Sequence, residues 1–245
     1  MNIKEICLLT LVMLSFTSCI QTGVISFTGR KSTLSAETNI KKFMTDNPEP
    51  SIILRLPKHV QEATEGDPYH YLYNAIENEL AMAGFKVKDR GLANQILNHS
   101  EANSYLEIQA EIQTDLILEL TKMDLEVIHT TNKFLTKSGE EKASKQGQVT
   151  KMGGAFEFKL VLVKNNSHGG NYAFYYTPCK DKQDQEECAC KIKYARFPVG
   201  YKIYTKKDVC AEEIADRKGP FEDIEEDIIE DVVRRGIKDL IKNIK

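Results

Sequence analysis

Beyond its first twenty residues this sequence has no apolar stretch approaching the roughly 20 residues that a helix needs to cross a bilayer, so nothing there reads as a permanent membrane span. An excess of one charge sign is also missing. The 33 Lys and Arg stand against 36 Asp and Glu, a formal net charge of −3, and no Lys/Arg run concentrates positive charge. That argues against nucleic acid as a partner, because phosphate binding needs a dense basic surface. Catalytic signatures are lacking too: no Gly-x-Ser-x-Gly elbow, no phosphate-cradling glycine loop and no zinc-protease helix. The histidines (His59, His70, His99, His129 and His168) are scattered, none at metal-ligand spacing from another. His129, beside Val127 on an expected strand, reads as a structural histidine rather than a base. The expectation is a protein that is not an enzyme and carries no cofactor or metal.

What is present begins at the amino end. Lys4 and Glu5 lead into Ile6-Cys7-Leu8-Leu9-Thr10-Leu11-Val12-Met13-Leu14, an apolar run with the length of a signal-peptide core and too short for a permanent span. It closes on Ser15-Phe16-Thr17-Ser18-Cys19, with small residues in the two positions before the cysteine. These residues resemble a lipobox, although Phe16 stands where Leu is usual. The resemblance implies that residues 1–18 leave as a lipoprotein signal peptide and that the Cys19 thiol takes lipid. The competing reading is an ordinary secretory signal that happens to contain a cysteine. Two or three acyl chains, each contributing about 0.8 kcal/mol per buried methylene, would make attachment stable without a transmembrane helix. Residue 20 is Ile rather than Asp, and no acidic run follows Cys19. The expected location is therefore the outer membrane, lipid-anchored, facing the periplasm.

With 41% apolar and 28% charged residues, the rest of the chain can bury a substantial core. Residues 19–50, rich in Thr, Ser, Asn and Lys, read as a lipidated tether with a short helix around Thr38 to Met44, ended by Pro48 and Pro50. Residues 51–245 read as one α/β (α+β) domain, a mixed sheet packed by helices. Ser51 to Leu56 is a buried strand. The next helix starts with Asp67 as cap and Pro68 as first residue, buries Tyr69, Leu72, Tyr73, Ile76, Leu80 and Ala83 on one face, and ends at Gly84. Asp115 to Leu120 reads as a central strand continued by Leu125 to Ile128. A polar stretch, Lys133 to Thr150, then precedes a long hairpin: Phe156 to Val163, a turn at Asn165 to Gly170, and Tyr172 to Tyr176. A C-terminal amphipathic helix opens at Gly219-Pro220 and runs through Phe221, Ile224, Ile228, Val232, Ile237, Leu240 and Ile244. Acids lie in its first half and Arg234, Arg235, Lys238 and Lys242 in its second, as a solvated face aligned with the helix dipole.

The unit from Tyr71 to Leu97 joins an amphipathic helix to Ala83-Gly84-Phe85-Lys86-Val87-Lys88-Asp89-Arg90 and then to a short helix from Leu92 to Leu97. It resembles a group of bacterial outer-membrane lipoproteins with a TolB amino-terminal-like α/β domain, among them the curli-secretion, flagellar-associated and penicillin-binding-protein-activator lipoproteins. The resemblance covers about half of the mature chain. Residues 133–150 and 178–218 have no counterpart in its pattern, so a partner surface of the group could be replaced here.

Four cysteines remain after Cys7 and Cys19: Cys179, Cys188, Cys190 and Cys210. An even number in an exported chain favours disulfides. Cys188 and Cys190 are too close to bridge easily, so Cys179 and Cys210 each take one of them, and two pairings fit. A four-thiolate zinc site is the rival reading, against which the single residue between Cys188 and Cys190 is tight spacing. Either way, residues 178–218 read as a Cys-rich excursion whose acidic run (Asp181, Asp184, Glu186 and Glu187) lacks calcium-loop spacing. Taken together these features imply a membrane-anchored binding or assembly factor of the cell envelope, engaging an envelope protein or its own copies. The alternative is an envelope enzyme or metal-binding protein built on the Cys-rich segment.

Overall fold

The computed structural model describes residues 20–56, 68–91, 112–180, 190–204 and 224–245. Cys19, Asp67, the short helix from Leu92, the acidic run at 181–187, Cys188, Cys210 and the Gly219-Pro220 opening lie outside the described residues. The chain is a mixed α+β protein. It divides into two compact units, each drawing on separated stretches of sequence. One takes the chain up to Thr28, Ile128–Met152 and the residues from Thr177 to the end of the last described strand at Tyr204; the other takes Gly29–Val127, Gly153–Tyr176 and the C-terminal helix. This differs from the expected single domain over 51–245. It also replaces the expected tether over 19–50, because β1 (Gln21–Ile25), β2 (Thr33–Ala36) and α1 (Thr38–Asp46) occupy that segment. Thr and Ser are good strand and cap residues as well as linker residues, so composition could not separate the two outcomes.

In the second of these units β3 (Ser51–Arg55), α2 (His70–Met82), β4 (Lys86–Val87), β5 (Leu116–Thr131) as far as Val127, β8 (Val149–Leu162) from Gly153 onward, β9 (Ser167–Tyr176) and α3 (Glu226–Ile244) join β2 and α1. The sheet order is β2-β9-β8-β5-β3-β4. Parallel pairing of β3 with β4 and β5 meets antiparallel pairing of β9 with β8 and β2. Ile52, Leu54, Leu116, Leu118, Phe156, Phe158 and Leu160 share one core with the inner faces of the three helices. Ile53, Ile117, Val161 and Val163 form a second cluster with Ile112, as the strand period of two requires. Burial on both faces explains why Ile52-Ile53-Leu54 and Leu116-Ile117-Leu118 are continuous apolar runs rather than alternations.

Local corrections follow the chain. α2 begins at His70, not Pro68, with Tyr69 capping it and no side-chain cap; it ends as expected through Gly84 at φ 89°. The hairpin turn is tighter than Asn165 to Gly170. A single 3-10 turn over Val163–Asn165 closes on Asn166 at φ 46°, and Gly169 and Gly170 already lie in β9 at a register shift opposite Leu160 and Val161. Gly170, at φ 149°, is needed there because a Cβ would sit 2.1 Å from the Ser35 carbonyl oxygen of β2.

The first unit is a closed five-stranded barrel. β6 (Lys133–Thr136), β7 (Glu141–Gln146), β10 (Lys191–Phe197) and β11 (Gly200–Tyr204) join β1 in the order β1-β10-β11-β7-β6 and back to β1. The polar stretch at 133–150 is therefore a hairpin of that barrel, and the expected excursion at 178–218 supplies two further strands. Phe134 fills the interior with Ile25, Ile192, Tyr194 and Ile203. Its ring lies 4.5 Å from that of Tyr194 and 5.7 Å from that of Tyr201, centre to centre. Small barrels close only when interior side chains fill the lumen, and these aromatics do so.

Candidate functional site

The barrel's pairings gather three chain features at one end. β1 runs antiparallel to both neighbours, with Gln21 opposite Tyr194 of β10 and Gly23 opposite Thr136 of β6. The start of β1, the β6–β7 turn and the β10–β11 turn therefore share an end. An open recess of about 660 Å³ lies there, lined by Ile20, Gln21, Thr22, Thr136, Lys137, Ser138 and Tyr194. The Tyr194 hydroxyl donates to Gln21 Oε1 at 2.6 Å, and burial, then Tyr201 and Glu140, push its pKa up. The Thr136 and Ser138 hydroxyls stand 2.8 Å apart across the β6–β7 turn, which Gly139 rounds at φ 82°.

On the same hairpin Lys142 lies 2.9 Å from Glu140 at the β6–β7 turn, and Lys133 lies 2.9 Å from Glu141 toward Ser26. Each carboxyl is held below the usual carboxylate range, Glu140 by hydrogen bonding with Lys142 and Glu141 by hydrogen bonding with Lys133. The recess lining itself offers hydroxyls, an amide, a phenol and one ammonium. Such a set can hold a polar group; it contains no paired nucleophile and base.

Cys179 and Cys190 are joined in a disulfide beside this barrel core. Of the two pairings open to Cys179, this is the one with Cys190, and two thiols in a disulfide cannot also serve as zinc thiolates. No group of three or more His, Cys, Asp or Glu among the described residues is placed to hold a metal ion. His129 lies on β5 with its ring 6.1 Å from Phe27 in an edge-to-face contact. No helix among the described residues is long and apolar enough to cross a membrane.

The recess was not foreseen, although a signal existed. Lys191-Ile192-Lys193-Tyr194 alternates charged and apolar residues, and Gly200 to Tyr204 carries strand-forming aromatics and Ile. Reading the cysteines as staples of a loop hid both strands.

Two ionic clusters belong to the sheet unit. Arg90, the arginine of the motif around Gly84, reaches back to α2: it bonds Glu77, Asn74 (3.0 Å) and His70 Nδ1 (3.1 Å) and lies over the Tyr73 ring. Glu79, 4% exposed on α2, accepts from Arg234 of α3 at 2.9 Å and has Lys238 Nζ at 3.6 Å. Arg234 and Lys238 were expected on a purely solvated face; they hold the two helices together instead. The Tyr71 phenol is pushed up to about 12, chiefly by burial and then by Glu226.

No family model matches this chain, and no curated protein matches it. Among solved structures, a PelC dodecamer from Paraburkholderia phytofirmans is similar at 9% identity and a TM-score of 0.33, covering 92% of this chain and 97% of that one. A point variant of the same PelC dodecamer gives 8% identity and a TM-score of 0.32, covering 93% and 98%. Likeness at this level carries no argument about function. Taken in chain order, the barrel strands neighbour one another as 1-2-3-5-4-1 with the third and fifth parallel, the strand order of oligonucleotide/oligosaccharide-binding barrels. Strand order alone assigns no ligand.

Proposed function

We propose that this chain is an exported lipoprotein, acylated on Cys19 and held at the outer membrane facing the periplasm, where it acts as a non-catalytic binding or assembly factor. The observation that carries the reading is the short apolar core followed by Thr17-Ser18-Cys19. The Cys179–Cys190 disulfide supports it, since disulfides persist in oxidising compartments such as the periplasm. In the same reading Cys188 and Cys210 form the second pair.

The fold class within α+β is proposed as TolB amino-terminal-like. Its support is the sequence of α2, a left-handed Gly84, a short strand at Lys86–Val87, and Arg90 tied back to α2. By that likeness the process served is secretion-channel assembly or activation of a cell-wall synthase, through an envelope protein or further copies of the chain. The barrel, which that pattern lacks, is the element through which this chain would differ from the group.

Acylation is tested on the full-length product purified from a bacterial host. Its intact mass should show residues 1–18 removed and acyl chains on Cys19, and Cys19→Ser should move the protein out of the membrane fraction. A mature product with a bare amino terminus and no lipid defeats the reading.

A further inference from the structure

The end of the barrel that carries the recess also carries three of the five exposed large apolar side chains among the described residues, the other two being Met82 and Ile128. Ile20 is 61% exposed, Val199 68% and Phe197 38%, and all three stand at this end, Ile20 just before β1 and the other two at the β10–β11 turn. β10 continues past the start of β1, since Gln21 pairs with Tyr194 and the strand runs on to Phe197. The turn therefore projects beyond the first described residue. Basic side chains share this end: Lys137 on the β6–β7 turn, Arg196 beside Phe197, and Lys145, whose stem packs over Gly200.

The first described residue, Ile20, stands at this same rim. Cys19 is covalently bonded to Ile20, and one residue spans at most about 3.6 Å. A lipid on that thiol has no tether to lengthen its reach, because β1 begins at Gln21 and is locked between β6 and β10. An acylated Cys19 thus holds this barrel end at the headgroup level. Exposed Ile, Phe and Val flanked by Lys and Arg are the side chains that partition there, the apolar tips toward the acyl boundary and the cations toward lipid phosphate.

We propose that this barrel end is a membrane-docking surface: Ile20, Phe197 and Val199 enter the bilayer interface beside the Cys19 lipid, with Lys137, Lys145 and Arg196 over anionic headgroups. The proposal rests on the acylation of Cys19. It commits to lipid rather than to a second copy or another protein, because the lipid anchor delivers the bilayer to this end.

The chain contains no tryptophan, which makes a single introduced one an unambiguous reporter. Phe197→Trp and, separately, Val199→Trp are made in the full-length lipoprotein, and Ile128→Trp serves as control. Ile128 is also exposed (61%), but it lies near Thr131, whose hydroxyl bonds the Ser26 carbonyl at the far end of β1. Each protein, with its acylation first verified by mass, is placed in vesicles of phosphatidylethanolamine and phosphatidylglycerol carrying brominated acyl chains. The expected result is blue-shifted emission from Phe197→Trp and Val199→Trp, quenched several-fold more than from Ile128→Trp, and weaker when phosphatidylglycerol is omitted. Vesicle-bound, acylated protein whose reporters at 197 and 199 stay solvent-like overturns the docking surface while leaving the lipoprotein reading intact. A blue shift that grows with protein concentration in detergent without lipid assigns the rim to self-association and also overturns it. A product with no acyl chains on Cys19 removes the premise and sinks both.

Discussion

Glu77 shows how one side chain makes the α2–Arg90 unit sensitive to pH. Burial raises its pKa above the usual carboxylate value, an effect that the Arg90 guanidinium offsets only in part. A carboxyl whose folded pKa is raised binds more protons folded than unfolded, so its contribution to stability is present at low pH and is lost as pH rises through the window above the ordinary value. The native chain should therefore lose less stability between about pH 7 and about pH 5 than Glu77→Gln, which has no such proton to take up. Urea unfolding of both proteins at the two pH values checks this. A larger acid loss in the native chain than in the variant contradicts it. Glu79, one helical half-turn away, is handled by the opposite device: it stays buried because Arg234 and Lys238 reach it from α3. Nothing local to either helix announced that pairing, since Glu79 and Arg234 are 155 residues apart.

At the scale of elements, the contact of α3 with β9 depends on a residue that weakens the isolated helix. Gly236 is buried within α3, and a Cβ there would fall 2.6 Å from the Phe174 ring of β9. Glycine costs about 1 kcal/mol relative to alanine inside a helix. Forcing extra volume into a packed core costs about 1–3 kcal/mol. The crowding involves the root of the Phe174 ring as well as its edge, so relief by a small rotamer change is poor. Gly236→Ala should thus destabilise the protein by about 1 kcal/mol net, despite its better helix propensity. Denaturant midpoints decide the sign, and a stabilised variant would mean that α3 can ride away from the sheet. The same scale shows where periodicity served well. The stripe over Leu72, Tyr73, Ile76 and Leu80 and the C-terminal stripe over Val232, Ile237, Leu240 and Ile244 are both buried as helical spacing demands, with Ile228 only half-buried at the helix start. Period-two segments were harder to place, because β10 and β11 are short and the cysteines beside them suggested a loop.

Across the whole molecule the cross-link belongs to one unit. Cys179 and Cys190 close a loop with a sequence separation of 11, and such a loop is worth about 3 kcal/mol on the chain-entropy account. The double variant Cys179→Ser with Cys190→Ser should lower the stability of the barrel by about that amount. Its effect is read by hydrogen exchange: amides of β1, β6 and β10 lose protection, whereas those of β3 and of Leu116–Leu120 in β5, in the other unit, keep theirs. Uniform loss over both sets would show that the two units unfold as one. A barrel of five short strands around Phe134 and Tyr194 has little apolar interior, which is why a covalent staple matters more here than in the six-stranded sheet.

Periodicity and local chemistry by themselves determined the amphipathic helices, the buried strands, the hairpin and the left-handed ending at Gly84, because each follows from residues within one or two turns of chain. The partner of Cys179, the place of residues 21–25 in a closed barrel, the joining of β6 and β7 to β10 and β11, and the Glu79–Arg234 pair were decided only by tertiary structure. They bring together residues from 11 to 173 positions apart, and loop closure depends on what the intervening chain folds into, which no local pattern encodes.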